Sequence, residues 1–307
     1  MDTVSTASTP ASAPTSASTG APTGAPTRAP ARAPANTTTG APTGVPTRKP
    51  SVPLGAIIDA LDTELRTRDV PDSSVALNGL QVANNGQVTS IAVAVDASLA
   101  SIQAAASCGA DLLIVHHGLF WAGPQPIVGK NYERVHTLIA NNIALYSTHI
   151  PLDMHATLGN NVLLAEALAL TPGAPFARYK GVDIGVRGTC DEPTDVIVQR
   201  ATAYAAQYGG SVRVSLPTGN RRTKHWAICS GMGVSPESLL EARLAGVDTL
   251  IVGEGTHHSA VDSAEHDVCV VYAGHYATET LGVQALGKWI EQQLGIPWTF
   301  LLLPTGL

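Results

Sequence analysis

Three places in the 307-residue chain set imidazole and carboxylate side chains at spacings suited to metal-ion chemistry. His116 and His117 stand side by side after the apolar run DLLIV. His149 and Asp153 are separated by three residues in STHIPLDMH, and His275 and Glu279 repeat that spacing in AGHYATET. Imidazole nitrogens mixed with carboxylate oxygens suit zinc, iron, manganese or cobalt, and no neighbouring thiolate selects among them. Three or four imidazoles plus two carboxylates exceed the needs of one ion. A carboxylate such as Glu279 can give one oxygen to each of two ions, and two ions at roughly 3.5–4 Å can share and acidify a water, making a hydroxide nucleophile at neutral pH. Each pattern alone has an ordinary alternative: histidines satisfied by hydrogen bonds near a loop, an aspartate capping the next helix, or an i, i+4 pair on a helix surface. Their shared placement, each directly after an apolar strand, joins them into one expected dinuclear site.

The elements that must position these residues are legible from periodicity. Ile57, Ile58, Leu61 and Leu65 in GAIIDALDTEL form one buried helical stripe. The pattern then predicts strand 88–95, helix 99–107, strand 111–115, helix 131–141, strand 143–148 and a helix through GNNVLLAEALAL. Strands separated by helices of this length imply parallel pairing, and α/β folds bind ligands at the carboxyl ends of such strands. His116, His149 and His275 all fall there. Pro151 argues for a loop rather than a regular helix between His149 and Asp153. His275 and Glu279 are expected on one face of a helix running over 276–294. The less regular middle offers strands near 182–187, 211–215 and 225–229 around a helix at 194–207. Clean alternation then resumes with helix 236–245, strand 248–253, helix 257–265, strand 267–272 and strand 298–303. Ser235 and Pro236 make a good helix start.

The expected fold is therefore α/β, two-lobed, with mostly parallel sheet layers flanked by helices. Residues 51–170 plus 231–307 are assigned to the metal-binding domain and 171–230 to a smaller second lobe. Residues 1–50 stand apart: 37 of the 50 are Ala, Thr, Pro or Ser and none is aromatic. Such a segment cannot bury enough apolar surface to offset its ordering entropy, so a disordered tail is expected. The tail carries +3 against a whole-chain charge of −6. Its arginines leave organellar targeting open, although nine prolines forbid the amphipathic helix of a transit peptide.

With 44% hydrophobic and 14% charged residues, the remaining chain can build a substantial core. Net negative charge argues against nucleic-acid binding by phosphate neutralisation. No apolar run reaches the roughly 18–20 residues needed to span a bilayer, and no signal segment opens the chain. The four scattered cysteines, Cys108, Cys190, Cys229 and Cys269, fit reduced thiols in a cytoplasmic protein.

NGLQV (78–82), AVDAS (94–98), HHGLFW (116–121), STHIPLDMH (147–155) with GNN (159–161), VGE (252–254) and AGHYATE (273–279) follow one another in order. Together they resemble the signature blocks of the dinuclear-metal-centre hexameric family called GTP cyclohydrolase 1 type 2 (NGG-interacting-factor-like), in its short members without an inserted middle domain. The resemblance implies metal ligation by His116, His117, Asp153 and His275, with Glu279 as the bridge. It places His149, His155 and Glu254 beside the metals, with Glu254 and His149 as catalytic candidates and Glu254 the general base if burial raises its pKa. It further implies two divalent ions per chain, a homohexamer built as a trimer of dimers, and hydrolysis of a nucleotide-like small molecule such as GTP, whose imidazole ring is opened with loss of formate. A non-catalytic metal-binding scaffold or regulatory interaction protein is the alternative. ALNGLQV replaces the aspartate-asparagine form of this block found in many relatives.

Other motifs carry less. THH at 256–258 is expected at the rim, and GMGVSPES (231–238) could cradle an anion on free backbone N–H groups. Phe120 and Trp121 could stack on a purine or pack against the sheet rim. No G-x-S-x-G elbow supports serine-hydrolase chemistry.

Overall fold

Apolar strands alternating with helices feed two main sheets, beside a small antiparallel pair of Val52–Pro53 with Gln87–Val88, as a computed structural model that describes residues 51–307 shows. The expected tail, 1–50, lies outside the described residues. In the five-stranded sheet the order is Trp298–Phe300, Ile91–Asp96, Leu112–His117, Ala144–Ser147 and Gly79–Val82. Its first four strands run parallel, and Gly79–Val82 closes the edge antiparallel. Leu112 to His116 are all buried, the continuous apolar run expected of a strand covered on both faces.

Side chains alternate across this sheet with period two. Val93, Leu112 and Ile114 face Ile57, Leu61 and Leu65 of helix Leu54–Leu65, together with Val283, Leu286 and Ile290 of helix Thr280–Leu294. Ala92, Leu113 and Val115 face the other way, against Ile102, Leu138 and Ile143. Each fully buried Leu or Ile contributes roughly 1.5–3 kcal/mol relative to exposure. Because the strands are held in register by this packing, Asp96 comes opposite His117.

The second sheet has six strands in the order Ala174–Tyr179, Val182–Pro193, Arg222–Cys229, Thr249–Val252, Cys269–Tyr272 and Arg213–Val214. Only its three central strands are parallel, Arg222–Cys229 through Cys269–Tyr272. The other pairings are antiparallel. Trp226, Ile228, Ile251 and Val271 bury one face, and Ala227, Leu250, Val252 and Val270 the other.

One expectation changes here, and the last quarter of the chain divides between the sheets. Strands Thr249–Val252 and Cys269–Tyr272 join the second sheet, and only helix Thr280–Leu294 and strand Trp298–Phe300 return to the first. The apolar strands of both sheets have the same composition, so hydropathy cannot distinguish their partners. The changed expectation concerns Pro151, which does not exclude helix: Ile150–Asp153 forms one helical turn with proline in its first two positions, where the missing N–H has no helical partner to lose.

Candidate metal centre

Every histidine of the three motifs has one ring nitrogen committed outward. His116 Nδ1 donates to the Thr148 carbonyl at 2.9 Å. His117 Nδ1 donates to Asp96 at 2.9 Å, His149 Nδ1 to Asp72 at 2.9 Å and His275 Nδ1 to Glu254 at 2.8 Å. Carbonyls and carboxylates only accept, so Nδ1 must carry the proton. In the neutral ring Nε2 is then left as a lone-pair donor, the arrangement by which outer partners orient metal-bound imidazoles.

The free nitrogens converge on Glu279. His116 Nε2 is 3.6 Å from Glu279 Oε1 and 3.4 Å from Asp153 Oδ2. Glu279 Oε2 lies 3.3 Å from His117 Nε2 and 3.2 Å from His275 Nε2. The two carboxylate oxygens therefore serve different ligand groups, His116–Asp153 and His117–His275. His149 completes a third potential group with His116 and His117.

The donor set fits divalent ions on two counts. His116 and Glu279 are buried, at 0% and 2% exposure, yet His116 Nε2 and Glu279 Oε2 have no hydrogen-bond partner. Such polar atoms are costly to bury unsatisfied. Second, ligand atoms about 2.1 Å from a tetrahedral ion are about 3.4 Å apart, matching the 3.2–3.6 Å separations here.

Electrostatics point the same way. Burial opposes charging of His116, but Asp153 and Glu279 outweigh it and hold its pKa well above the ordinary value. Burial likewise disfavours charge on His275, and Glu279 and Glu254 override it to raise its pKa to about 9. Burial works against the Glu279 carboxylate too, yet His117 and His116 keep its pKa well below the usual range; for Asp153, burial is again opposed by His116, and its pKa is lowered. The cluster is a carboxylate-rich pit that demands positive charge, which protons supply in the absence of metal.

Local structure explains the convergence. Helix Thr280–Leu294 does not run unbroken from 276. A short helix, His275–Thr278, ends first, and Glu279 takes non-helical φ −113° between the two. Asp153 is fixed by Asn160 Nδ2 at 2.8 Å and Ser230 Oγ at 3.1 Å. Asn161 Nδ2 adds a bond to the Asp153 carbonyl.

Of the residues singled out in the sequence, His116, His117, His149, Asp153, His275 and Glu279 are brought together. Glu254 is adjacent but engaged with His275 Nδ1. His155 is turned away: its Nε2 is 3.5 Å from Glu64, and its Nδ1 accepts from the Leu158 N–H. His257 and His258 are exposed.

Sequence reasoning misses Asp72 and Asp96 as histidine partners. The rule that a ligating imidazole needs an acceptor for its second nitrogen is the available signal for Asp96, which ends the strand beside His117. Asn78 of ALNGLQV contributes in its own way, accepting from the His149 N–H at 2.8 Å and donating to Asp72 at 2.8 Å. In and before the GMGVSPES segment, Ser230 N–H donates to Asn161, Gly231 N–H to Thr278, and the Ser235 and Ser238 N–H groups to each other's hydroxyls. Burial, followed by the charges of Asp153 and Glu279, pushes the Cys229 thiol up, so it offers no thiolate.

A cavity of about 750 Å³ opens onto this cluster. His117, His149, Asp153, His275 and Glu279 line it, with Trp121, Arg178, Tyr179 and Met232 also on its walls. Residues following strands of both sheets contribute.

The architecture defines a class: an α/β protein whose two sheets bring strand ends together around a metal-competent cleft. Within that class the chain belongs to the Duf34/NIF3 family (NGG1p interacting factor 3), which matches residues 54–303. It is 44% identical over 243 residues to the GTP cyclohydrolase 1 type 2 homolog of Deinococcus radiodurans, covering 79% of this chain and 90% of that one. The homolog of the same name from Pyrococcus abyssi is 39% identical over 251 residues, 82% of this chain and 98% of that one. Among solved structures, protein ybgI, described as of unknown function, superposes with TM-score 0.75 at 31% identity, covering 83% of this chain and 100% of that one. A protein from Thermus thermophilus gives 0.69 at 34%, with 83% and 100% covered. Among the described residues, no helix is long and apolar enough to cross a membrane.

Proposed function

We propose that the protein is a dinuclear metal-dependent hydrolase acting on a nucleotide-like small molecule, working as a cytoplasmic homo-oligomer, a hexamer by family resemblance. The observation that carries this reading is Glu279. Its two oxygens face separate imidazole groups at the floor of an open cleft. The names of the bacterial and archaeal relatives add support for a nucleotide. Divalent ions bound there supply Lewis acidity and lower the pKa of water towards neutrality.

The chain's own residues do the rest. Asp96, Asp72, Glu254 and the Thr148 carbonyl hold four imidazoles with Nε2 inward. Asn160 and Ser230 fix the Asp153 carboxylate. Glu254, partly exposed, accepts from His275 Nδ1 and so keeps that ring turned with Nε2 inward; as the candidate general base its carboxylate would act directly rather than through the ring. His149 stands at the cleft wall and can either ligate or orient a polar substrate group.

The test begins with elemental analysis of protein purified without chelator, followed by formate release from GTP and other nucleotides. About two ions per chain are expected, with turnover abolished in a His117→Ala, Glu279→Ala variant. Metal-replete protein that turns over no nucleotide would point to a scaffold, and metal-free wild type would remove the site itself.

A further inference from the structure

Behind His117 and Trp121, away from the main cleft, lies a second cavity of about 330 Å³. Asp96, His117 and Trp121 line both spaces. The new wall is cationic and polar, with Lys130, Arg134 and Gln125. Lys130 and Arg134 are one turn apart on helix Lys130–Ala140, so they present their charges on one face.

Two features separate this pocket from an ordinary basic surface. Arg66, Arg178, Arg200, Arg221 and Arg222 each pair with a carboxylate, and Arg187, Arg213 and Arg243 each donate to a backbone carbonyl. Among the described arginines only Arg68 and Arg134 do neither, and Lys130 likewise pairs with no carboxylate. Arg134 Nε and Trp121 Nε1 are, moreover, shielded from solvent with no hydrogen-bond partner. Buried donors left unpaired are rare and call for an acceptor. Among the described residues, the only carboxylate lining the pocket is Asp96, whose Oδ1 already accepts from His117.

We propose that this pocket is a subsite for the phosphate chain of the nucleotide, with Arg134 and Lys130 as its binding residues and Trp121 as the wall between phosphate and metal centre. The terminal nitrogens of a guanidinium that pairs with no carboxylate suit phosphate oxygens in a forked geometry, and the lysine adds a point charge. The inference rests on the nucleotide reading above and deepens it. A ligand anchored here would reach past Trp121 and place its base or sugar over His117, His275 and Glu279.

The test is calorimetric titration of the full chain, as purified and again after chelation, with GTP, guanosine and inorganic triphosphate. Chelation separates phosphate held by side chains from phosphate held by ions. Arg134→Gln and Lys130→Gln should each weaken GTP and triphosphate on the order of ten- to a hundredfold and leave guanosine unchanged. Arg134→Lys keeps the charge and should recover part of the loss, which guards against a folding defect in the glutamine variant. Triphosphate that binds variants and wild type alike, or fails to bind wild type, overturns the subsite. An equal loss for guanosine overturns it too. If phosphate binding behaves as stated while no nucleotide is turned over, the hydrolase reading fails and the subsite stands; turnover with insensitive phosphate binding gives the reverse.

Discussion

In the metal-free protein, His275 keeps its proton to about pH 9: burial opposes the charge, but Glu279 and Glu254 more than offset it. Its folded pKa lies above the ordinary 6.5. The stabilisation is therefore complete below about 6.5 and is lost as pH rises towards 9. Asp153 and Glu279 have the opposite sign. Their folded pKa values lie below the ordinary 3.8 and 4.5, so their contributions are present above those values and fade in acid. Chelator-treated protein should accordingly lose melting temperature between pH 6.5 and 9. Metal-loaded protein should hold steady over that window, because an ion replaces the proton on Nε2, and its apparent metal affinity should climb with pH. A flat profile for the chelated form would mean that the imidazole is not charged among these carboxylates. At this scale the sequence shows the imidazoles and carboxylates that converge well, because imidazole pairs and His-x-x-x-carboxylate spacings are local. The outward partners are hidden in it. Asp72 is 77 residues from His149 and Asp96 is 21 from His117, so only the fold joins them.

Elements are legible in proportion to how much their pattern depends on the chain alone. Helix Leu54–Leu65 and strand Leu112–His117 follow from periodicity and continuous apolarity. Strand Ala174–Tyr179 escapes sequence reasoning because APFARY carries a proline and no alternation, and it forms only at a sheet edge where Pro is tolerated. The break at Glu279 is equally invisible, since nothing in HYATETLG before its glycine is a helix breaker; tertiary packing bends the chain there. Gly231 shows how closely the elements must approach. It has φ +59°, and a Cβ at this position would strike Glu279 Oε1 and lie 3.3 Å from His275 Nε2. Gly231→Ala should cost roughly 1–2 kcal/mol for the left-handed backbone and also displace the central carboxylate, cutting metal content. Gly246→Ala is the matched control: its φ is +70°, with open space around the new methyl. It should show a similar loss in urea-unfolding free energy and normal metal by elemental analysis. Equal metal content in the two variants would show that Gly231 does not guard the site.

On the scale of the whole molecule, the candidate site joins the two sheets. His116 and His117 end a strand of the first, while Glu254 and His275 follow strands of the second. Glu279 stands at the head of the helix that crosses back from the second sheet to pack on the first. Protein-only links also bridge this boundary: Asn160 accepts from the Gly282 N–H at 2.7 Å, and Asn161 from the Ser230 N–H at 2.7 Å. These neutral hydrogen bonds contribute about 1 kcal/mol each, too little to offset repulsion if Asp153 and Glu279 lose their cationic neighbours. Metal should therefore act as a cross-link between distant parts of the chain rather than as a local ornament. An ion at a hundred times its Kd stabilises the folded state by about 2.7 kcal/mol, which for a body of this size is a rise of about 5–10 °C in Tm. Calorimetric scans at pH 8 should show that shift between chelated and reloaded protein. The Glu279→Gln variant, which keeps the shape but not the charge, should lose most of the metal-dependent rise. An identical Tm with and without metal would mean that the two sheets associate through their apolar faces alone and that the ions, where bound, serve chemistry without holding the fold.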